Sequence, residues 1–416
     1  MASDIIMLTN GPGELLTWVC PVFDELRNSD RDYRFSLVLL PCLFAGGKEA
    51  TIAKERLGID RIIKAKQIYK FLLHPHSFVD EEWYSSGVVI GLGGDPFFSW
   101  MVAKRLKFKL LVYSERPFWL SFLADSVAIQ NPSRRSLKRA TKVGPLLLSA
   151  IDKSPGTKKS PWPEEPNNKP VKKIALLPGS KPIKLKLLIP CALVVADILK
   201  QKVENYSLCM FMAPGTSISD LKYYASSENS FFAHLNLTKP SIQKNADNEY
   251  FLLTSNRAPI SLCFDFPAYA SLQKADLALT AVGTITDELG FLNVPMLVMT
   301  PCQAYNYGLK SERYPIPGLI GLMVRIPIIG KFLTSLLYFA ITAFSKPMAW
   351  PNIRLNKEVV PEIWEGLSPA ETADKLIQLL YDEHRLKEMK RELLNLKAVP
   401  NPAGEIRRLV DGLLFP

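Results

Sequence analysis

Apolar and polar positions alternate along this chain in short blocks whose period switches between two and about 3.6, the pattern of strands interleaved with helices. Residues 5–8, 35–40, 87–91 and 109–113 are compact apolar runs, too short for helices and rich in Val, Ile and Leu. Amphipathic stretches follow them: one ending near residue 26, one over 49–57, and one between the third and fourth runs. A fifth run, 126–129, precedes a basic stretch over 134–142. This alternation predicts βαβ units and a doubly wound parallel sheet. From 152 to 173 the chain is rich in Pro, Lys and Asn with no apolar period, which reads as a linker. The alternation then restarts with a strand at 174–177, a small-residue loop and a helix. Further strands are expected at 207–212, 275–279 and 296–299, an exposed loop at 239–248, and one long charged helix over 369–396. The prediction is an α/β protein of two Rossmann-like domains, 1–151 and 174–396, with a tail over 397–416. Its active site is expected in the cleft between them, beyond the carboxyl ends of the strands.

One segment departs from this rhythm. Residues 316–344 are nearly all apolar but are interrupted by Arg325, Pro327 and Lys331. Neither half reaches the ~18 to 20 uninterrupted apolar residues of a bilayer span. An interfacial insertion fits better, with Arg325, Lys331 and Lys346 near anionic headgroups. The bland alternative is an unusually apolar core or dimer segment.

Composition supports two cores: 48% of the 416 residues are apolar and 22% charged. The formal net charge of +11 implies an anionic partner, namely nucleic acid, membrane or a phosphorylated substrate. There is no basic–aromatic motif, so no nucleic-acid partner is expected. Six scattered cysteines without a C-x-x-C pair read as buried free thiols in a reducing compartment. His74 and His76 flank a proline in an expected loop, and no third ligand accompanies them, so no metal site is expected. The opening residues lack a basic region, a longer apolar stretch and a cleavage site, so a cytoplasmic location is expected.

Four constellations carry candidate chemistry. The strand ending in Leu177 runs into Pro178-Gly179-Ser180-Lys181 ahead of a helix, where backbone N–H groups and the Lys181 ammonium can hold a diphosphate. The strand 275–279 ends near Gly283 and Thr284, and the next helix begins with Asp287 and Glu288. That turn again offers N–H groups, and Glu288 can accept hydrogen bonds from ribose hydroxyls. The alternative is an acidic pair that complements the helix dipole. Asp95 follows the 87–91 strand, and Glu14 follows the first strand within Asn10-Gly11-Pro12-Gly13-Glu14. Carboxylates at two strand ends suit acceptor binding or general-base work; otherwise they cap the following helices.

In this order the constellations resemble lipid-A-disaccharide synthase, and most closely its divergent related branch. LLPGSK resembles the family's LPGSR loop with Lys181 in place of Arg. ADLALTAVGTITDELGFLNVPMLVM resembles its strand–SGTATLE–helix segment, with Val282 replacing Ser and Glu288 retained. WPNIRLNKEVVPEIWE, with Asn352 and Glu362, resembles its PN…PE segment. NGPGEL stands where the family reads GEASGD, placing Glu14 at its Asp, and GLGGDPFF keeps Asp95. VYSERPFW, residues 112–119, resembles a Y-V-S-P-x-x-W stretch, and Val143-Gly144-Pro145 replaces the family's Gly-His-Pro.

The resemblance implies the two-domain GT-B architecture, with the C-terminal tail packing back toward the first domain. It implies an inverting hexosyltransferase of lipid A assembly. Such an enzyme moves a sugar, acylated glucosamine in that family, from a UDP-sugar to a lipid acceptor. The donor would engage Gly179, Ser180, Lys181, Gly283, Thr284, Glu288, Asn352 and Glu362. Asp95, or failing that Glu14, would act as base, with no metal or other cofactor. The protein would sit peripherally on the inner face of an anionic membrane. The competing readings are a UDP-sugar 2-epimerase-like isomerase and a noncatalytic lipid- or nucleotide-binding protein of the same fold.

Overall fold

A computed structural model describes residues 2–41, 49–59, 61–78, 82–115, 121–130, 140–152, 160–162, 170–245, 248–300, 347–364, 368–396 and 401–415. The chain divides into two compact units: Met1–Ser154 with Ala398–Pro416, and Pro155–Lys397.

The first unit is built on β1 (Ser3–Thr9), β2 (Tyr33–Leu39), β3 (Ile62–Ile63), β4 (Gly87–Gly91), β5 (Lys109–Ser114), β6 (Ser126–Ile129) and β7 (Ala140–Lys142). They form one parallel sheet in the order β3-β2-β1-β4-β5-β6-β7. Every residue of β1 and β4 is buried, which is why these strands read as continuous apolar runs. The pleat sends Ile5 and Met7 to one face and Ile6 and Leu8 to the other. The first face is covered by α1 (Cys20–Arg27) and α2 (Glu49–Leu57), the second in part by α3 (Pro96–Leu106).

The second unit carries β8 (Lys172–Leu177), β9 (Tyr206–Phe211), β10 (Ser241–Lys244), β11 (Tyr250–Leu253), β12 (Pro259–Cys263), β13 (Leu277–Ala281), β14 (Met296–Met299) and β15 (Glu362–Ile363). Its sheet order is β10-β11-β12-β9-β8-β13-β14-β15. The strands from β12 to β15 are parallel, whereas β10, β11 and β12 pair antiparallel. The helix α4 (Pro182–Lys202) contributes Leu185, Ile189, Val195, Ala196 and Leu199 to this unit's core. Among the described residues of the former linker, Trp162 is buried and its indole N–H donates to the Ser271 carbonyl at 2.8 Å.

Three expectations change. The exposed loop over 239–248 contains β10, whose polar SIQK sequence is legible as a strand only through its pairing with Tyr250–Leu253. The long terminal helix is two, α7 (Pro369–Tyr381) and α8 (Glu383–Leu393), because Asp382 accepts from Arg385 N at 2.8 Å and caps a new start. Residues 15–19 wind as a π-helical turn before α1. The final helix, α9 (Pro402–Leu414), buries Ala403, Ile406 and Val410 in the first unit's core. It is tied down by Ala403 N to Ser149 Oγ at 3.0 Å and Tyr33 Oη to Asp411 at 2.6 Å.

Residues 316–344 lie outside the described residues, as do Cys42 and Cys302. Among the described residues no helix is long and apolar enough to cross a membrane, and no group of three His, Cys, Asp or Glu side chains could hold a metal ion. Cys20, Cys191, Cys209 and Cys263 are free.

Candidate functional site

Each sheet reverses its winding direction between two central strands, β1 and β4 in the first unit and β8 and β13 in the second. Such switch points open crevices at the carboxyl ends of the strands. Eight of the ten residues singled out from sequence lie just after these four strands: Glu14, Asp95, Gly179, Ser180, Lys181, Gly283, Thr284 and Glu288.

At the first unit's switch point the chain passes from β1 through Asn10 and Gly11 to Glu14. A Cβ on Gly11 would lie 2.5 Å from Glu14 Oε2, so the carboxylate rests on this glycine. The loop after β4 packs alongside. A Cβ on Gly93 (φ +146) would lie 3.1 Å from Thr9 Oγ1 and 3.4 Å from Glu14 Cβ. Thr9 Oγ1 and Asn10 Oδ1 are buried and have no hydrogen-bond partner among the described residues. Unsatisfied buried oxygens of this kind, next to a π-helical turn, mark a place where a fold accepts local cost. Asp95 is exposed, and its Oδ1 accepts from Phe97 N at 2.9 Å, capping α3. The capping role is therefore realised for Asp95.

The second unit's switch point is more fully built. Gly179 has φ +84 and Gly283 φ +154, both in the region that side chains disfavour. α4 starts at Pro182, and α5 (Thr284–Phe291) starts directly after Gly283. Neither N-cap residue, Lys181 or Gly283, supplies a side-chain cap, in contrast to α3, α7, α8 and α9, capped by Asp95, Ser368, Asp382 and Asn401. Ser180 and Thr284 are exposed at these two ends. Two positive helix ends with uncapped N–H groups thus stand on adjacent strands.

Sequence reasoning missed Lys184. Its stem crosses Gly179, where a Cβ would lie 3.0 Å from Lys184 Cδ. Its ammonium reaches Gly283, where a Cβ would lie 2.8 Å from Nζ. It donates to the Val282 carbonyl. Burial, together with the neighbouring Lys181 charge, pulls its pKa down to about 8. The available signal was a lysine in the first turn of α4, against the preference of a helix N-terminus for acidic groups.

Behind these turns, Glu288 is 6% exposed. Burial pushes its pKa up to about 8, the Asp287 charge adds to the rise, and a hydrogen bond with Tyr269 opposes it. Asp287 is engaged by Arg354, whose Nε and Nη2 donate to its two oxygens at 2.7 and 2.5 Å. Arg354 lies on α6 (Trp350–Leu355). Asn352 and Glu362 have internal partners. Asn352 Nδ2 donates to the Val360 carbonyl and to Glu362 Oε1, both at 2.8 Å, and its Oδ1 accepts from Val359 N and Val360 N. Glu362 also accepts from Met348 N and Ala349 N at the start of α6. These two side chains brace the 348–362 segment internally, while Arg354 ties it to Asp287 of α5. Thr286 adds a tie, accepting from Trp350 N at 3.2 Å.

The topology of both sheets identifies the architecture when set beside solved structures. The glycotransferase of kitacinnamycin superposes with a TM-score of 0.52 at 12% identity over 100% of both chains. MurG of Acinetobacter baumannii gives 0.50 at 15% identity, with 99% of each chain covered. The UDP-GlcNAc 2-epimerase of Neisseria meningitidis, bound to UDP-GlcNAc, gives 0.52 at 12% identity over 99% of this chain and 100% of that one. The fold is GT-B. No protein-family model and no curated protein matches the sequence. The GT-B assignment places the glycine turns after β8 and β13 at the switch point of the second Rossmann-like domain, and the Glu14 and Asp95 turns at that of the first.

Proposed function

We propose that this chain is a UDP-sugar-dependent glycosyltransferase that acts on a lipid acceptor at an anionic membrane surface. The observation that carries the reading is the second unit's switch point. There, two uncapped helix ends, two positive-φ glycines and two lysines converge, with the buried carboxyl of Glu288 one turn further on. This is a set of groups suited to a diphosphate joined to a hydroxylated ring. Three solved structures that share this fold hold UDP or UDP-GlcNAc, which supports a nucleotide sugar as donor.

In the proposed step the acceptor hydroxyl attacks the anomeric carbon as the bond from that carbon to the diphosphate oxygen breaks. UDP leaves with its charge offset by Gly179-Ser180, Gly283-Thr284 and Lys181. The hydroxyl proton passes to Asp95 or Glu14, and the anomeric configuration inverts. No metal enters this scheme. The sugar is proposed as an acylated glucosamine, the hexosyl group of the lipid-A-disaccharide synthase reading. The apolar segment 316–344 and the net charge of +11 are the basis for a peripheral position on the inner membrane face of the cytoplasm.

A second reading is favoured by one finding: UDP-GlcNAc 2-epimerases share the topology. Product analysis with UDP-GlcNAc alone separates the two, since an epimerase converts it without an acceptor. The first test is thermal stabilisation by UDP, UDP-GlcNAc, UDP-diacylglucosamine and UDP-hexoses, with wild type and Glu288→Ala. A ligand that binds only the native state raises its stability with concentration over Kd. A shift that Glu288→Ala removes supports the donor site. No shift with any of them sinks the nucleotide-sugar reading and leaves the noncatalytic lipid-binding alternative.

A further inference from the structure

Lys184 stands apart from the other cations among the second unit's described residues. Three things disfavour a charge at its position: the N-terminal ends of α4 and α5, the Lys181 ammonium, and loss of hydration. A leucine or methionine there would avoid all three costs. The protein instead leads a lysine stem across Gly179 and sets its ammonium beside Gly283. Both glycines leave no room for a Cβ against it. Of the three ammonium donors, one reaches the Val282 carbonyl, and the other two have no acceptor among the described residues. A largely buried cation with unspent donors, held between two uncapped helix ends, is arranged for an anion that bridges those ends.

We infer that Lys184, rather than Lys181, is the principal charge partner of the donor's diphosphate, lying between the two glycine turns and contacting both phosphates. The inference depends on the nucleotide-sugar reading only for what the diphosphate is attached to. Lys181 is the N-cap of the helix, and its ammonium is a supplementary charge. Gly179 and Gly283 acquire a further role: besides permitting the turns, they keep the path of the Lys184 side chain open. The signature is thus not the GSK triplet alone, but a lysine one turn into the helix that follows it.

The test is calorimetric titration of the full chain with UDP, uridine and inorganic pyrophosphate, for wild type, Lys184→Met and Lys181→Met. Hydrogen bonds to charged groups are each strong enough that losing them should weaken UDP and pyrophosphate binding by roughly 10- to 100-fold in Lys184→Met. Uridine affinity should stay unchanged, which doubles as proof that the variant is folded. Lys181→Met should lose less than about fivefold. UDP binding by Lys184→Met within threefold of wild type overturns the inference while leaving the donor reading intact. Pyrophosphate binding that depends on Lys184, with UDP and uridine adding nothing, supports the lysine's role and removes the nucleotide. Wild-type protein that binds neither pyrophosphate nor UDP overturns both.

Discussion

Glu288→Gln should make this protein more stable at neutral pH, by an amount that depends on pH in a defined way. The carboxyl is 6% exposed and its pKa is pushed up to about 8, first by burial and then by the Asp287 charge. In the unfolded chain the group titrates near the ordinary glutamate value of 4.5. A folded pKa above the unfolded one means that the native state holds a proton the unfolded state releases. The group's contribution to stability is therefore full below pH 4.5, falls as pH rises, and is exhausted above about 8. At about 1.4 kcal/mol per pH unit, the penalty reaches roughly 3 kcal/mol at pH 7 and about 5 kcal/mol above pH 8. Glutamine keeps the shape and does not titrate, but its amide introduces a second N–H to be satisfied, at a cost of about 1 kcal/mol. The net gain at pH 7 is then about 2 kcal/mol, or roughly 4–8 °C in the melting of a unit of this size. Scanning calorimetry of both proteins at half-unit steps from pH 5 to 8.5 measures it. A difference in Tm that stays constant over that range would refute the reasoning, because it would mean that Glu288 titrates alike in both states. If the variant is also weakened in UDP binding, the buried acid is retained for its ligand at the expense of stability.

Two further outcomes are expected. Asp95→Asn keeps the cap on α3, since asparagine caps as well as aspartate, but cannot accept a proton. Unchanged melting with turnover lost assigns Asp95 as base, Asp95→Ala adding only a stability loss of about 1 kcal/mol, whereas normal turnover in Asp95→Asn leaves Glu14 as the candidate. Asn352→Ala removes four internal hydrogen bonds, two of them accepted from buried backbone N–H groups, and should lower stability by roughly 3–4 kcal/mol in urea unfolding; a loss below about 1 kcal/mol would show that the 347–363 segment does not depend on this residue.

Much of the fold was legible because the decisive strands are buried on both faces. β1, β4, β8 and β13 are Val-, Ile- and Leu-rich runs, and a buried parallel strand has no other composition available. β10 was hidden for the converse reason: an exposed edge strand of sequence SIQK has no apolar requirement, and only its partner defines it. The break at Asp382 lies in the polar run 382–385, which reads equally well as the solvent face of one continuous charged helix. At the site, sequence indicated the turns but not the use of each side chain. Asn352 and Glu362 stand out in a motif, yet they bond to each other and to backbone. Lys184 lies outside the motif, and its importance depends on a helix register and on a second turn about a hundred residues away. Contacts of that range have no local signature.

The last helix gives this chain an unusual dependence on the order of its synthesis. α9 completes the apolar face formed by β1, β4 and α1, although some 250 residues and an entire second unit intervene. A ribosome therefore releases the second unit's residues while the first sheet still lacks Ala403, Ile406 and Val410. During that interval the first unit presents an open greasy seam suited to a chaperone, and the second can close its own core independently. For dissection, cutting between the units would strand the helix on the wrong fragment. A first unit made alone needs residues 398–416 grafted back, by permutation or by co-expression.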